Sequence, residues 1–370
     1  MGHQVPIFIC AGSTGGHFFP ALSFAITLRD RHPEADLHFL MNRVPTFATR
    51  ALESQNMFYH LIPCSRPDRF FSLQATRFLL DYLVAFCKTI ILLVRWKPCL
   101  LVGFGSYSSI PGVLAASFVK VPILLHEQNV TPGRANQFLC FWADRIAVSF
   151  QETMKWLTQE KVIWTGFPLR RTFLDELRPI RHVKERTRWT LLVLGGSQGA
   201  RRLNRVFLDA MRSMGVEERQ KFAVIHIVGS DDLNLIRKAY DELGMTCEVV
   251  EFTDQISDRL KAADLVIARS GAGTIFELAA IGCASILVPY PHAYAHQETN
   301  ASYLEACGAA HVIPEAIVSG RALREAIGYL RDHAAKRSLL KERIRQFVCP
   351  KANEALVEVA WSLQCGTKAN

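Results

Sequence analysis

Twice along this chain a short apolar run ends in a turn of small residues that opens into a helix. VPIFICA at 5–11 leads into Gly12-Ser13-Thr14-Gly15-Gly16-His17, and TLLVLGGSQGA begins at Thr190. A strand apolar on both faces belongs in the middle of a sheet covered on both sides, the environment of parallel strands. Further strand patterns stand at 37–41, 100–103, 123–126 and 145–148, and after the second glycine turn at 223–228, 247–251, 265–268 and 285–288. Helical patterns separate several of them, the first from about residue 20 to 31 with Pro20 in its first turn. This alternation predicts an α/β fold of two Rossmann-like, doubly wound parallel-sheet domains. The Gly166-Phe167-Pro168 break and the charged stretch 170–188 divide the chain into 1–168 and 169–349, with a tail helix near 350–370 packing back on the first domain.

With 370 residues, 49% hydrophobic and 21% charged, each domain has enough chain to bury its own core. The ten cysteines are scattered singly, with no C-x-x-C and no signal peptide, which reads as reduced thiols in a cytoplasm. A net charge of +9 favours anionic partners. No RNA- or DNA-binding module is present, so nucleic acid gives way to phosphorylated substrates and acidic membrane faces. The run 79–94, LLDYLVAFCKTIILLV, is apolar but carries Asp81 and Lys88 and falls short of the roughly 20 residues of a spanning helix. It reads either as a core helix or as a helix at the headgroup level, with Phe70 and Phe71 dipping in and Arg77 among the arginines meeting anionic lipid.

The richest block is RSGAGTIFELAAIGCASILVPYPHAYAHQETN at 269–300. Its strand ends at Ser270-Gly271-Ala272-Gly273, Thr274 and Glu277 form a capping-box pattern, and a polar loop, 292–300, follows the next strand. Small residues at a helix N-terminus let phosphate approach unpaired amides. The turn GSTGGH at 12–17 has the same character, but it is not G-x-G-x-x-G and its second strand ends without an acidic residue, which argues against NAD. His17 is either a polar cap on the turn or a base for a hydroxyl near neutral pH. His126-Glu127-Gln128-Asn129 closes a strand where a substrate would sit. A metal site there is disfavoured because His126 and Glu127 are adjacent and point to opposite faces. His292 and His296 lie in what reads as a loop. Gly195-x-Ser197-x-Gly199 formally matches a nucleophile elbow, but a phosphate-binding Ser197 at a helix start is the better reading. Glu277 suits either a helix cap or a carboxylate that accepts ribose hydroxyls.

Six segments in order resemble one family: GSTGGHFFPALSFA at 12–25, GFGSYSSIPGVLAA at 103–116, HEQNVTPGRAN at 126–136, GFPLR at 166–170, GGSQGARRLN at 195–204, and 269–301. The chain is thereby similar, over essentially its whole length, to the UDP-N-acetylglucosamine transferases of bacterial cell-wall synthesis. The resemblance implies a GT-B glycosyltransferase fold whose two domains face a deep cleft. It further implies inverting transfer of GlcNAc from UDP-GlcNAc to the 4-hydroxyl of lipid I, the undecaprenyl-diphosphate-linked muramoyl pentapeptide, giving lipid II. It would need no metal or other cofactor, and would work peripherally at the cytoplasmic face of the inner membrane, among other cell-wall and division proteins. On this reading His17 is the base, the backbone near Phe252 and Thr253 reads uracil, and Glu277 holds ribose. Ser197 with Ala272, Gly273 and Thr274 holds the donor diphosphate, and Gln297 and Asn300 face the sugar. Thr14, Gly15, Gly16, Asn129 and Arg170 line the cleft, and the turn Ser13, Thr14, Gly15, Gly16 and His17 meets the acceptor diphosphate. Ser13 stands where the family usually has glycine, and Gly273 where some members carry a bulkier residue, which bears on fine contacts to the sugar. The fold and donor also fit a transferase to another acceptor or a UDP-GlcNAc 2-epimerase, and a nucleotide-sensing scaffold would bind the donor without turnover.

Overall fold

A computed structural model describes residues 4–64, 73–177, 188–195, 201–229, 233–291 and 296–366. The chain forms two compact units, Met1–Arg170 with Cys349–Asn370, and Arg171–Val348. The first is built on seven parallel strands: β1 Val5–Cys10, β2 Ala35–Met41, β3 Phe58–Leu61, β4 Leu100–Gly103, β5 Ile123–Glu127, β6 Arg145–Val148 and β7 Val162–Trp164. Their order is β3-β2-β1-β4-β5-β6-β7. The second unit has β8 Trp189–Leu194, β9 Phe222–Ile227, β10 Cys247–Val250, β11 Leu265–Ala268, β12 Ser285–Leu287 and β13 His311–Val312, in the order β10-β9-β8-β11-β12-β13. Both sheets thus reverse direction of winding beside their first strand, the place where doubly wound sheets open a crevice at the strands' carboxyl ends.

The alternation along β1 shows why its run is apolar throughout. Ile7 and Ile9 pack with Phe18, Phe24, Phe39 and Leu356 on one face, while Phe8 and Cys10 pack with Leu93, Leu101 and Val113 on the other. Leu356 belongs to the tail helix Ala352–Gly366, which lies along helix Gly15–Arg31; His32 stacks on Trp361 at 3.5 Å, and Asn353 Nδ2 donates to the Leu169 carbonyl at 3.0 Å.

Several local expectations are corrected. The first helix starts at Gly15 rather than near Pro20, so Pro20 lies inside it. The proline gives up the backbone bond to the Gly16 carbonyl. The capping box at Thr274 and Glu277 does not form: helix Ala272–Ile281 is capped by Gly271, with no side-chain bond. The stretch read as a loop before Asn300 becomes helix His296–Ala306, which puts Gln297 and Asn300 on one helical face. Three strands escaped the sequence reading, β3, β7 and β13. All are edge strands, and β3 leaves Phe58, Tyr59 and Leu61 largely exposed, so it has no buried run to recognise.

Helix Leu73–Trp96 buries one face, as a core helix would, and leaves the other exposed. Ala85, Thr89 and Leu93 are buried at four-residue spacing, and Tyr82 donates its hydroxyl to the Tyr107 carbonyl at 2.8 Å. Leu79, Leu80, Leu83, Val84, Ile91 and Val94 are each more than half exposed. Phe70 and Phe71 lie outside the described residues, as does the side chain of Arg77. Among the described residues no helix is long and apolar enough to cross a membrane.

Candidate functional site

In the first unit the carboxyl ends of β1 and β4 bring two glycine-containing turns together around His17. Thr14 caps helix Gly15–Arg31 by backbone geometry alone; the first helical bonds run from the His17 and Phe18 amides to the Thr14 carbonyl at 3.1 and 3.0 Å. The amides of Gly15 and Gly16 precede that ladder, at the positive end of the helix dipole. Gly16 is exposed, and a Cβ there would meet nothing within 4 Å, so neither packing nor backbone geometry asks for glycine. Gly12 differs. A Cβ on it would lie 2.8 Å from the Ser106 Cβ and 3.2 Å from the His17 ring.

His17 Nδ1 lies 2.8 Å from the Phe104 carbonyl oxygen. A carbonyl only accepts, so in the neutral imidazole the proton sits on Nδ1 and the lone pair on Nε2. Phe104 opens the turn after β4, where Gly105 (φ 79°) and Ser106 (φ 72°) are both left-handed. That conformation costs a serine about 1–2 kcal/mol, and such strain gathers at working sites. The same carbonyl accepts from Gln128 Nε2 at 3.1 Å, and Gln128 Nε2 also lies 3.0 Å from His126 Nδ1. Burial drives the His126 pKa down to about 3, so the ring beside His17 is neutral.

The His126–Asn129 cluster is thus scaffold on three of its four members. His126, Gln128 and Glu127 are buried. Glu127 accepts from the Asn129 amide and Nδ2, from the Gly133 amide and from Asn136 Nδ2, at 2.8–3.1 Å, and so shapes the 128–136 loop. Asn129 is half-buried on that loop, and Arg170 places its guanidinium 4.8 Å from the centre of the Phe19 ring, on the helix that carries His17. Among the described residues no group of three His, Cys, Asp or Glu could hold a metal ion.

In the second unit the corresponding end of β11 carries another turn. Ser197 lies outside the described residues. Helix Ala272–Ile281 begins with Ala272, Gly273 and Thr274, whose amides precede the first helical bond, from Ile275 to the Gly271 carbonyl at 3.0 Å. With no capping box, Glu277 sits half-buried a turn and a half into the helix, and its role as a cap falls away. Past β10, Phe252 is 47% exposed, and Thr253 Oγ1 accepts from Arg259 Nη1 at 2.8 Å and the Gln255 amide at 3.1 Å, which fixes the turn. Gln297 is half-buried, with its Oε1 accepting the Tyr290 amide at 3.0 Å. Asn300 is fully buried and donates from Nδ2 to the Ser270 carbonyl at 3.2 Å, while Ser270 Oγ donates to the Gln297 carbonyl at 2.7 Å.

Sequence reasoning gave no role to the Phe104 carbonyl, Ser106, Arg269 or Glu315, and set Gln128 facing a substrate where it is buried scaffold. A main-chain oxygen has no letter in a sequence, and Glu315 follows a two-residue strand that no pattern announces.

Two parallel α/β units with glycine turns at their switch points describe a nucleotide-sugar transferase architecture, and the chain belongs to glycosyltransferase family 28. Residues 7–148 match the glycosyltransferase family 28 N-terminal domain, and residues 190–356 match the C-terminal domain. The chain is 33% identical over 355 residues to the UDP-N-acetylglucosamine--N-acetylmuramyl-(pentapeptide) pyrophosphoryl-undecaprenol N-acetylglucosamine transferase of Geobacter sulfurreducens, covering 95% of this chain and 97% of that one. It is 32% identical to the protein of the same name from Myxococcus xanthus, over 98% of this chain and 94% of that one. The crystal structure of Acinetobacter baumannii MurG superposes with a TM-score of 0.75 at 25% identity, covering 97% and 99% of the two chains.

Proposed function

We propose that this chain transfers GlcNAc from UDP-GlcNAc to the 4-hydroxyl of the muramoyl sugar of undecaprenyl-diphosphate-linked lipid I, with inversion, to give lipid II for peptidoglycan synthesis. The observation that carries the reading is the His17–Phe104 bond at the switch point of the first unit. It presents an unprotonated Nε2 beside helix amides suited to a phosphate, which is what a base serving a diphosphate-bearing acceptor needs. The names of the full-length relatives support the same substrates.

On this reading His17 Nε2 takes the proton of the acceptor hydroxyl as it attacks the anomeric carbon, and Gly15 and Gly16 hold the acceptor diphosphate. In the second unit the amides of Ala272, Gly273 and Thr274, with Ser197, stabilise charge on the departing UDP, and Arg170 lines the first unit. The backbone at Phe252 and Thr253 reads uracil, Glu277 accepts the ribose hydroxyls, and Gln297 meets the sugar. Asn300 acts from within, by holding the Ser270 turn. Thr14 and Asn129 complete the lining of the first unit. Transfer of labelled GlcNAc from UDP-GlcNAc to a short-chain lipid I analogue tests the reading; release of free sugar or epimer without acceptor would replace it with the epimerase.

The membrane assignment belongs to the same proposal. A polyprenyl acceptor stays in the bilayer, and the exposed apolar face of helix Leu73–Trp96, with Lys88 and Arg95 exposed on the same helix, suits a peripheral contact with anionic lipid at the cytoplasmic face of the inner membrane. Replacing Leu80, Val84 and Ile91 together by Ser is expected to abolish co-flotation with anionic vesicles while leaving UDP-GlcNAc binding intact. Equal flotation of variant and wild type would remove this face from the account.

A further inference from the structure

The donor site proposed above draws on three separate segments of the second unit: the turn after β11, residues 288–290 after β12 with the Gln297 they bond, and the start of helix Arg201–Arg212. One buried carboxylate joins all three. Glu315, three residues past β13, is 7% exposed. It forms a two-point pair with Arg269, Nη1 to Oε2 and Nη2 to Oε1, the latter at 3.2 Å. Arg269 also donates from Nη1 to the Val288 carbonyl at 2.9 Å, and its guanidinium lies 5.4 Å from the centre of the Tyr290 ring. Tyr290 in turn donates its amide to Gln297 Oε1. On the other side, Arg202 brings Nε to 3.5 Å from Glu315 Oε1 and donates from Nη2 to the Glu315 main-chain carbonyl at 2.9 Å.

A buried ion pair is a weak source of stability, because desolvating both partners offsets their attraction; apolar residues of the same volume often do as well. What a bidentate pair supplies and an apolar contact does not is a fixed direction. We propose that Glu315 is a positioning residue: through Arg269 and Arg202 it fixes the sugar-contacting segment at Gln297 relative to the turn after β11 and the start of helix Arg201–Arg212, and so sets the preference for a GlcNAc-bearing nucleotide over bare UDP. The inference rests on the UDP-GlcNAc reading of this site. The uracil and ribose contacts assigned to Phe252, Thr253 and Glu277 lie outside the cluster, so they persist when it is broken.

Calorimetric titration of UDP, UDP-GlcNAc and UDP-glucose into the full chain separates these effects. Glu315→Gln keeps shape and removes the charge. The variant is expected to melt cooperatively and to lose about tenfold in UDP-GlcNAc affinity, close to the worth of one hydrogen bond to a charged group. UDP affinity stays within about threefold, the increment of a single weak contact, and GlcNAc is no longer preferred over glucose. General destabilisation would weaken both nucleotides alike. Arg202→Gln, at the exposed end of the cluster, gives a smaller shift in the same direction and serves where Glu315→Gln does not fold. An unchanged ratio of UDP-GlcNAc to UDP affinity in whichever variant folds overturns the inference. A wild type that binds UDP but not UDP-GlcNAc, or neither, overturns the site reading and this inference with it.

Discussion

His17 takes its chemistry from a neighbour that contributes only a main-chain oxygen. Because the Phe104 carbonyl holds Nδ1, the neutral imidazole tautomer carries its lone pair on Nε2, as the proposed base role requires. His17→Ala is therefore expected to lower kcat for GlcNAc transfer by roughly 10²–10⁴, the range for general-base help, with UDP-GlcNAc binding retained; a variant with nearly full turnover would end the assignment. Gly12 is the second residue on which this geometry depends. An added methyl would press on Ser106 and on the His17 ring, at 2.8 and 3.2 Å. Gly12→Ala is expected to cost about 1–3 kcal/mol in thermal or denaturant unfolding, as overpacking does, and to reduce transfer while leaving UDP binding unchanged. His17 and its glycine turn were legible in the sequence because chemistry and conformational freedom both have letters. Its orienting partner was not, since any residue at position 104 supplies a carbonyl.

At the scale of single elements, the helix starts decide what the site can bind. Gly16 has ordinary helical surroundings and open space where a side chain would go. Gly16→Ala is thus expected to raise stability, by up to about 1 kcal/mol from helix propensity, while lowering transfer because the methyl occupies the approach to the amides. Parallel measurement of melting and turnover checks this, and a variant that is both more stable and fully active would contradict phosphate binding there. The central strands were legible for a related reason: β1, β4, β8 and β11 are buried on both faces and cannot hide their apolar runs. Edge strands β3, β7 and β13 have no such constraint. Helix His296–Ala306 was obscured by Pro289 and Pro291, which end their influence before it begins, and the false capping box at Thr274 and Glu277 arose because the helix starts three residues earlier, with Gly271 as its N-cap.

For the molecule as a whole, each unit has among its described residues a fully buried histidine that burial keeps neutral. His126 lies in the first, and His226 in the second, between Tyr240 OH at 2.9 Å and Asn204 Oδ1 at 3.1 Å. Burial lowers both pKa values to about 3 from 6.5. Between those values the unfolded chain takes protons that the folded chain refuses, so stability is full above about pH 6.5 and falls as pH drops toward 3. The slope is up to about 1.4 kcal/mol per pH unit for each histidine. Calorimetric melting from pH 7.5 to 4.5 is expected to show Tm falling below about pH 6.5; a flat profile would mean that neither ring is buried neutral. The central claim is nevertheless about chemistry, and transfer of labelled GlcNAc from UDP-GlcNAc to a short-chain lipid I analogue tests it most directly, with wild type and His17→Ala assayed side by side in the presence of EDTA. The account predicts a GlcNAc-extended lipid product that needs wild-type His17. Binding of UDP-GlcNAc with no transfer to the acceptor would contradict it.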